Sequence, residues 1–168
     1  VYPWVSPEGD GAYEAGQFYY SNCDTQMLGE IIFRATGQDP GLFAQQNLFD
    51  PLNMEANWWR DDVDTGQANG NYLTYCCLDS TAQDFAKFGY MLLLGGIETS
   101  EGKNYASYVS EILAQEEAYR NQFWAYCDSQ PFTASPDCEN VLVMTIGFDG
   151  QYILVDQKND IVLVRNSL

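Results

Sequence analysis

The stretch FYYSNCDTQMLGEIIFRATGQ, residues 18–38, decides how this chain is read. Met27, Leu28, Ile31, Ile32 and Ala35 recur at helical spacing and fall on one face. Asn22 or Asp24 is placed to cap the start, and Gly37 is a natural stop. Tyr20-Ser21-Asn22 stands immediately ahead of that helix. A Tyr and an Asn two positions apart on a turn can project their polar ends into one cleft. A phenol held near a cation can lose its proton at moderate cost and act as a base. The plainer alternative stays open at this point: Tyr20 belongs to a core and Asn22 only caps the helix.

Working outward, Asp39-Pro40 opens a second short helix through about Asn47, with Pro at its first position, and Asp50-Pro51 ends it. Residues 55–75 read as loop. Ser80 with Gln83 suggests a capping box, followed by a helix that turns Phe85, Phe88 and Leu92 inward and stops at Gly95-Gly96. Tyr105, Tyr108, Val109, Ile112 and Leu113 fit a fourth helix. The pattern then changes. Val141 to Ile146, Gln151 to Asp156 and Ile161 to Arg165 are β-rich runs, and Gln157-Lys158-Asn159-Asp160 turns between the last two. Residues 1–140 thus read as mainly helical and residues 141–168 as antiparallel strands. Helices first and strands last give an α+β class, with the sheet expected to be completed by strands upstream of residue 1.

Composition narrows the function. Hydrophobic residues make up 46% of 168, enough for a packed core. Seven basic residues against 24 acidic ones give a net charge of -17, a field that repels phosphate backbones, so nucleic acid is not an expected partner. The strongest apolar run, Tyr90 to Leu94, is too short for a membrane span. The chain has no initiator Met, and residue 1 is expected to be a processing or fragment boundary. No His is present, so a His triad or His metal site cannot be built from this chain. Asp61, Asp62 and Asp64 match a calcium loop poorly and read as a solvated acidic segment; neither metal nor cofactor is expected. Cys127 and Cys138 bracket a turn-rich segment that a disulfide would staple, which implies an extracellular or secretory compartment. Buried reduced thiols are the alternative. Trp58, Trp59, Tyr72 and Tyr75 either line a substrate cleft or pack beneath a long loop.

Four stretches in order resemble one family. Residues 18–38 resemble the second motif region of the penicillin-recognising serine hydrolases, in which Y-x-N opens a helix. LFDPLNMEANWWRDD (48–62) is similar to that family's "lf-x-P-L-G-M" segment, with Asn53 where Gly is usual. CCLDSTAQDFAKFGYMLLLGG (76–96) is similar to its "T-x-x-D-x-A-K-F-G" helix. TIGFDGQYILVDQKNDIVLVR (145–165) resembles the third-motif strand and the hairpin after it. Within this class, shared with penicillin-binding proteins and class C β-lactamases, the nylon-oligomer (6-aminohexanoate-dimer) hydrolases resemble the chain most.

The resemblance implies a β-lactamase/transpeptidase-like fold and, position by position, a set of roles. Tyr20 matches the tyrosine that works with a lysine as general base and acid. Asn22 matches the residue that holds the substrate amide. The backbone N–H of Gln151 matches the second oxyanion-hole donor, and Phe148-Asp149-Gly150 falls on the substrate-facing third motif, with Trp58 a further substrate-binding candidate. Asp149 replaces the Lys or His usual there, which disfavours a substrate carboxylate. The family's Ser-x-x-Lys nucleophile has one match in spacing, Ser100-Glu101-Gly102-Lys103, which contains a Gly and follows the tyrosine motif instead of preceding it. A serine from an N-terminal fragment or companion chain is therefore expected to act on a small amide or ester substrate through an acyl-enzyme. The rival expectation is a catalytically silent β-lactamase-like structural or binding module of an extracellular assembly.

Overall fold

The computed structural model describes residues 20–61, 70–96, 104–114, 119–127 and 138–167. The chain forms two compact units, residues 1–43 with 58–77, and residues 44–57 with 78–168.

In the first unit, α1 spans Asn22–Thr36. Its cap is Ser21, not Asn22 or Asp24: the Ser21 hydroxyl accepts from the Asp24 N–H at 3.2 Å. Several neighbouring residues can cap, and geometry selects the one three positions before a free N–H. Gly37 ends the helix at φ 70, the left-handed value glycine adopts without strain. The stripe read from periodicity lies largely open among the described residues, with Met27 60% and Ile31 55% exposed. Only Gly29 is buried on α1. A Cβ there would stand 2.7 Å from the Thr74 methyl. That close approach lets the Thr74 hydroxyl reach the carbonyls of Thr25 and Gln26 at 3.3 and 3.1 Å. The Gln26 amide donates in return to the Tyr72 carbonyl at 2.8 Å.

The second short helix, α2 (Pro40–Ala44), begins as expected, with Asp39 accepting from the Gly41 N–H at 2.9 Å. It continues as a π-helical turn, Gln45–Phe49, which no propensity reading foresees. The expected loop 55–75 is bounded by a short pair of strands, β1 (Ala56–Trp58) and β2 (Leu78–Ser80).

In the second unit, α3 spans Ala82–Leu93. Thr81 caps it, one residue beyond the expected Ser80: Thr81 accepts from the Asp84 N–H at 3.1 Å and donates to the Asp84 carboxylate at 2.7 Å. Ser80 instead donates to the Glu55 carbonyl at 2.5 Å. Lys87 pairs with Asp84 at 2.6 Å and also donates to the Asn53 carbonyl. Hydrogen bonds from Lys87 first, and then Thr81, hold the Asp84 carboxyl below the usual carboxylate range. Asn53 itself sits at φ 49, so the position at which the family usually carries Gly is a left-handed one that Asn tolerates.

The helix α4 (Ala106–Leu113) packs on the same side as α3. A five-stranded antiparallel sheet follows in simple order: β3 (Tyr119–Arg120), β4 (Phe123–Cys127), β5 (Val141–Gly147), β6 (Gln151–Asp156) and β7 (Ile161–Arg165). The three expected strands are β5 to β7, with Thr145 opposite Ile153 and Leu154 opposite Leu163. The sheet starts earlier than residue 141, since FWAYC pairs with β5. The α+β class stands. The core is Met91, Leu92, Val109, Ile112, Phe123, Val143 and Val155, drawn from both helices and one sheet face. Val109 and Ile112 are fully buried and each contributes about 1.5–3 kcal/mol by leaving water.

Two local features generate tests. A Cβ at Gly89 of α3 would meet Val162 at 2.5 Å and Ile153 at 3.0 Å, so α3 lies on β6 and β7 only because position 89 is bare. Gly89→Val is expected to destabilise by about 1–3 kcal/mol or more through overpacking; an unchanged thermal midpoint contradicts this packing. Buried Asp156 accepts from the Asn159 side chain at 2.8 Å, from the Asn140 side chain at 3.2 Å and from the Asn159 N–H at 3.2 Å. These bonds, Asn159 first, push its carboxyl below the usual range. A lowered folded value means the stabilisation is present above the ordinary carboxylate range and disappears as pH falls through the folded value. Urea midpoints at pH 7 and pH 3 should therefore fall further for the wild type than for Asp156→Asn. Parallel losses would show that Asp156 carries no such linkage.

Candidate functional site

The expected site residues fall into two local clusters, one in each unit. In the first, Tyr20 immediately precedes the cap of α1 and is 49% exposed, while Asn22 is the first helical residue and half-buried. Tyr20 is therefore not a core residue, and Ser21, not Asn22, does the capping. About one turn further along α1, Thr74 donates to the Thr25 and Gln26 carbonyls and Gln26 donates to the Tyr72 carbonyl.

Trp58 is also in this unit. Its indole N–H donates to the carbonyls of Leu73 and Cys76 at 2.9 and 2.8 Å, which is a packing and bracing role for the 73–77 turn. Trp59 is 53% exposed. Arg60 lies over the Tyr72 ring at 3.9 Å and pairs with Asp39 at 3.4 Å. A cleft of about 630 Å³ in this unit is lined by, among others, Cys23, Met27, Phe33, Asp39, Arg60 and Tyr72. Neither Tyr20 nor Asn22 lines it, so it is a feature separate from the tyrosine motif. Asp61 accepts from the Asn71 N–H at 2.7 Å and so closes its own loop. Asp62 and Asp64 lie outside the described residues, as do Ser100 and Lys103.

The second cluster is the connection between β5 and β6. Gly147 opposes Gln151, and Phe148–Gly150 form a short turn between them whose backbone is left-handed, not helical, at Asp149. Phe148 is 88% exposed and Asp149 is exposed at φ 56, followed by Gly150 at φ 86. Asp is among the few side chains that tolerate the left-handed region. The turn thus supplies a backbone reason for Asp149, independent of any substrate charge. The Gln151 side chain is tied at both ends: its Nε2 donates to the Ser167 carbonyl at 2.8 Å and its Oε1 accepts from the Ser167 N–H at 2.9 Å. That ring fixes the start of β6, and with it the backbone at Gln151.

Cys127 and Cys138 bring their sulfurs within bonding distance, with Cα atoms 5.6 Å apart, inside the range a disulfide requires. The structure also brings Cys76 and Cys77 together, which the sequence reading did not pair although their adjacency was visible. Cys23 is exposed and not bonded to another cysteine.

The beta-lactamase family profile matches residues 12–167, across both clusters. The chain belongs to the beta-lactamase family. A 6-aminohexanoate-dimer hydrolase from Paenarthrobacter ureafaciens is 29% identical over 167 residues, covering 95% of this chain and 41% of that protein. Among solved structures, a candidate 6-aminohexanoate-dimer hydrolase from Bacillus anthracis superposes with a TM-score of 0.71 at 24% identity, over 93% of this chain and 39% of that one. A class C beta-lactamase from Rhodobacter sphaeroides gives 0.60 at 18% identity, over 86% and 53%. These likenesses establish a beta-lactamase/transpeptidase-like fold. The chain spans about two-fifths of the length of the hydrolases it matches.

The Asp149 turn makes its own prediction for this family member. Asp149→Gly should leave the thermal midpoint within about 1 kcal/mol of wild type, while Asp149→Val, β-branched at positive φ, should cost about 1–3 kcal/mol. Equal midpoints for the two variants would show that the turn imposes no backbone constraint.

Proposed function

We propose that this chain is the part of an amide or ester hydrolase that carries the tyrosine motif and one oxyanion donor, and that the enzyme works through an acyl-enzyme. A serine in a Ser-x-x-Lys sequence outside residues 1–168, on the same polypeptide or a companion, attacks the carbonyl. Tyr20 carries the proton from serine to leaving group, Asn22 holds the substrate amide, and the N–H of Gln151 shares the developing oxyanion. A backbone donor aimed at that oxygen contributes about 2.7–4 kcal/mol to the transition state and survives any change of neighbouring side chain. The observation that carries the reading is Tyr20: exposed at a helix start whose cap is another residue, within a family match that runs through residue 167.

The substrate is a small amide or ester. The relatives' named activity on a 6-aminohexanoate dimer favours a linear amide. Asp149, exposed in the third-motif turn, argues against a carboxylate at that end of the substrate. The Cys127–Cys138 pair supports a disulfide there and an oxidising, extracellular or secretory location. Asp149 also favours the second reading, a silent binding module, because a negative side chain stands where the family places a cation.

Tyr20→Phe in the whole protein separates the two. The ring stays, so folding should be unchanged, while kcat on short amides and esters should fall about 10²–10⁴-fold, the size of a lost general acid–base group. Turnover close to wild type rules out the proton-transfer role. Absence of any turnover in the wild-type protein, with all segments present, establishes the silent module.

A further inference from the structure

Cys76 and Cys77 are neighbours in sequence, and their sulfurs are within bonding distance. Such a bridge cross-links no length of chain, so it removes little loop entropy from the unfolded state and is a poor staple. Its effect is local, on the backbone between the two residues. Here that backbone is unusual and heavily held. Cys77 sits at φ 70, a conformation that side chains other than Gly and Asn seldom adopt. The Cys77 carbonyl accepts from the Trp59 N–H at 2.9 Å. The Cys76 N–H donates to the Leu73 carbonyl at 3.0 Å, and the Trp58 indole bridges the Leu73 and Cys76 carbonyls. The turn closed in this way carries Thr74, whose hydroxyl grips the Thr25 and Gln26 carbonyls of α1 and whose methyl lies against Gly29. The cysteine pair, the turn and the start of α1 are thus one hydrogen-bonded assembly within a single unit.

Cys76, Cys77 and Cys138 are all half-buried, and only Cys127, at 3% exposed inside the sheet, is closed off, so one pair has both sulfurs within reach and the other has one. Accessible disulfides in constrained turns are the labile ones, and buried ones resist exchange.

We propose that Cys76 and Cys77 form a reversible vicinal disulfide, exchanged by a small dithiol, whose state sets how firmly the 73–77 turn holds the first turns of α1. In the reducing direction, one thiolate of the dithiol attacks a sulfur of the pair, the Cys76–Cys77 S–S bond breaks, and a mixed disulfide forms. The other cysteine leaves as a thiolate in that step, and the second thiol of the reductant then displaces the cysteine held in the mixed disulfide and closes its own ring. Two electrons and two protons pass to Cys76 and Cys77, and the dithiol leaves as a cyclic disulfide. Cys76 and Cys77 act as positioning residues for the segment bearing Tyr20 and Asn22. The consequence for catalysis rests on the hydrolase reading, but the redox site does not.

The test is done on the purified whole protein, poised at graded ratios of reduced to oxidised dithiothreitol. Differential alkylation with mass mapping reports each cysteine, and amide hydrogen exchange reports residues 22–29. The expected result is a gain of two hydrogens at Cys76–Cys77 while Cys127–Cys138 stays bonded. Exchange at residues 22–29 should rise several-fold, with residues 82–93 unchanged, and both should reverse on reoxidation. The double variant Cys76→Ala with Cys77→Ala should show the fast exchange at every ratio. Alkylation of Cys76 and Cys77 before any reductant is added overturns the disulfide. Exchange at residues 22–29 that is the same in both states overturns the positioning role. Neither readout depends on catalysis, so failure here is distinct from failure of the hydrolase reading.

Discussion

The placing of α1 in its unit depends on a bare position, Gly29, that lets Thr74 lie directly against the helix. The rest of α1 offers its unit little else to hold. Met27, Leu28, Ile31 and Phe33 are all exposed among the described residues, and Gly29 is the one buried residue of the helix. The helix start is therefore located by a few polar contacts, from Thr74 and between Gln26 and Tyr72, more than by apolar burial. Net hydrogen bonds of this kind are worth about 0.5–1.5 kcal/mol each, so a change in the turn that makes them can shift the segment at modest cost. Tyr20 and Asn22 inherit whatever precision that grip provides.

The other unit solves its positioning problem differently. A helical layer of α3 and α4 covers one face of the sheet, and the core they share fixes β5 and β6. The turn between those strands is then short and closed, with left-handed values at Asp149 and Gly150 and the Gln151 side chain locked to Ser167. A backbone N–H presented by such a frame is insensitive to the side chain at position 149. The proposed donor at Gln151 is a backbone group, so the proposal does not require the cation that the resemblance leads one to expect at position 149.

The sequence made some of this legible and hid the rest for physical reasons. Strands β5 to β7 and helices α1, α3 and α4 follow from apolar periodicity, because burial on one face imposes it. Neither cap is the residue expected, since Ser21, Asn22 and Asp24, or Ser80 and Thr81, are equally capable in isolation and only the three-residue reach to an open N–H chooses between them. Strand β4 was missed because FWAYC is short and its partner is β5, on the far side of residues 128–137. The π-turn at Gln45–Phe49 has no local signature. Periodicity identified the apolar stripe of α1 but not what lies against it. For the candidate site, Tyr20, Asn22 and Gln151 come from ordered motif resemblance alone, and the grip of Thr74 on α1 was invisible because it joins residues 48 positions apart.

The central claim is that residues 1–168 serve a serine nucleophile that is not among them. The most direct measurement is covalent labelling of the whole native protein with a fluorophosphonate probe, followed by proteolysis and mapping of the modified residue. The account predicts a single labelled serine in a Ser-x-x-Lys sequence outside this chain, with Ser100 unmodified. A label on Ser100, or no label on a folded protein with every segment present, would contradict it.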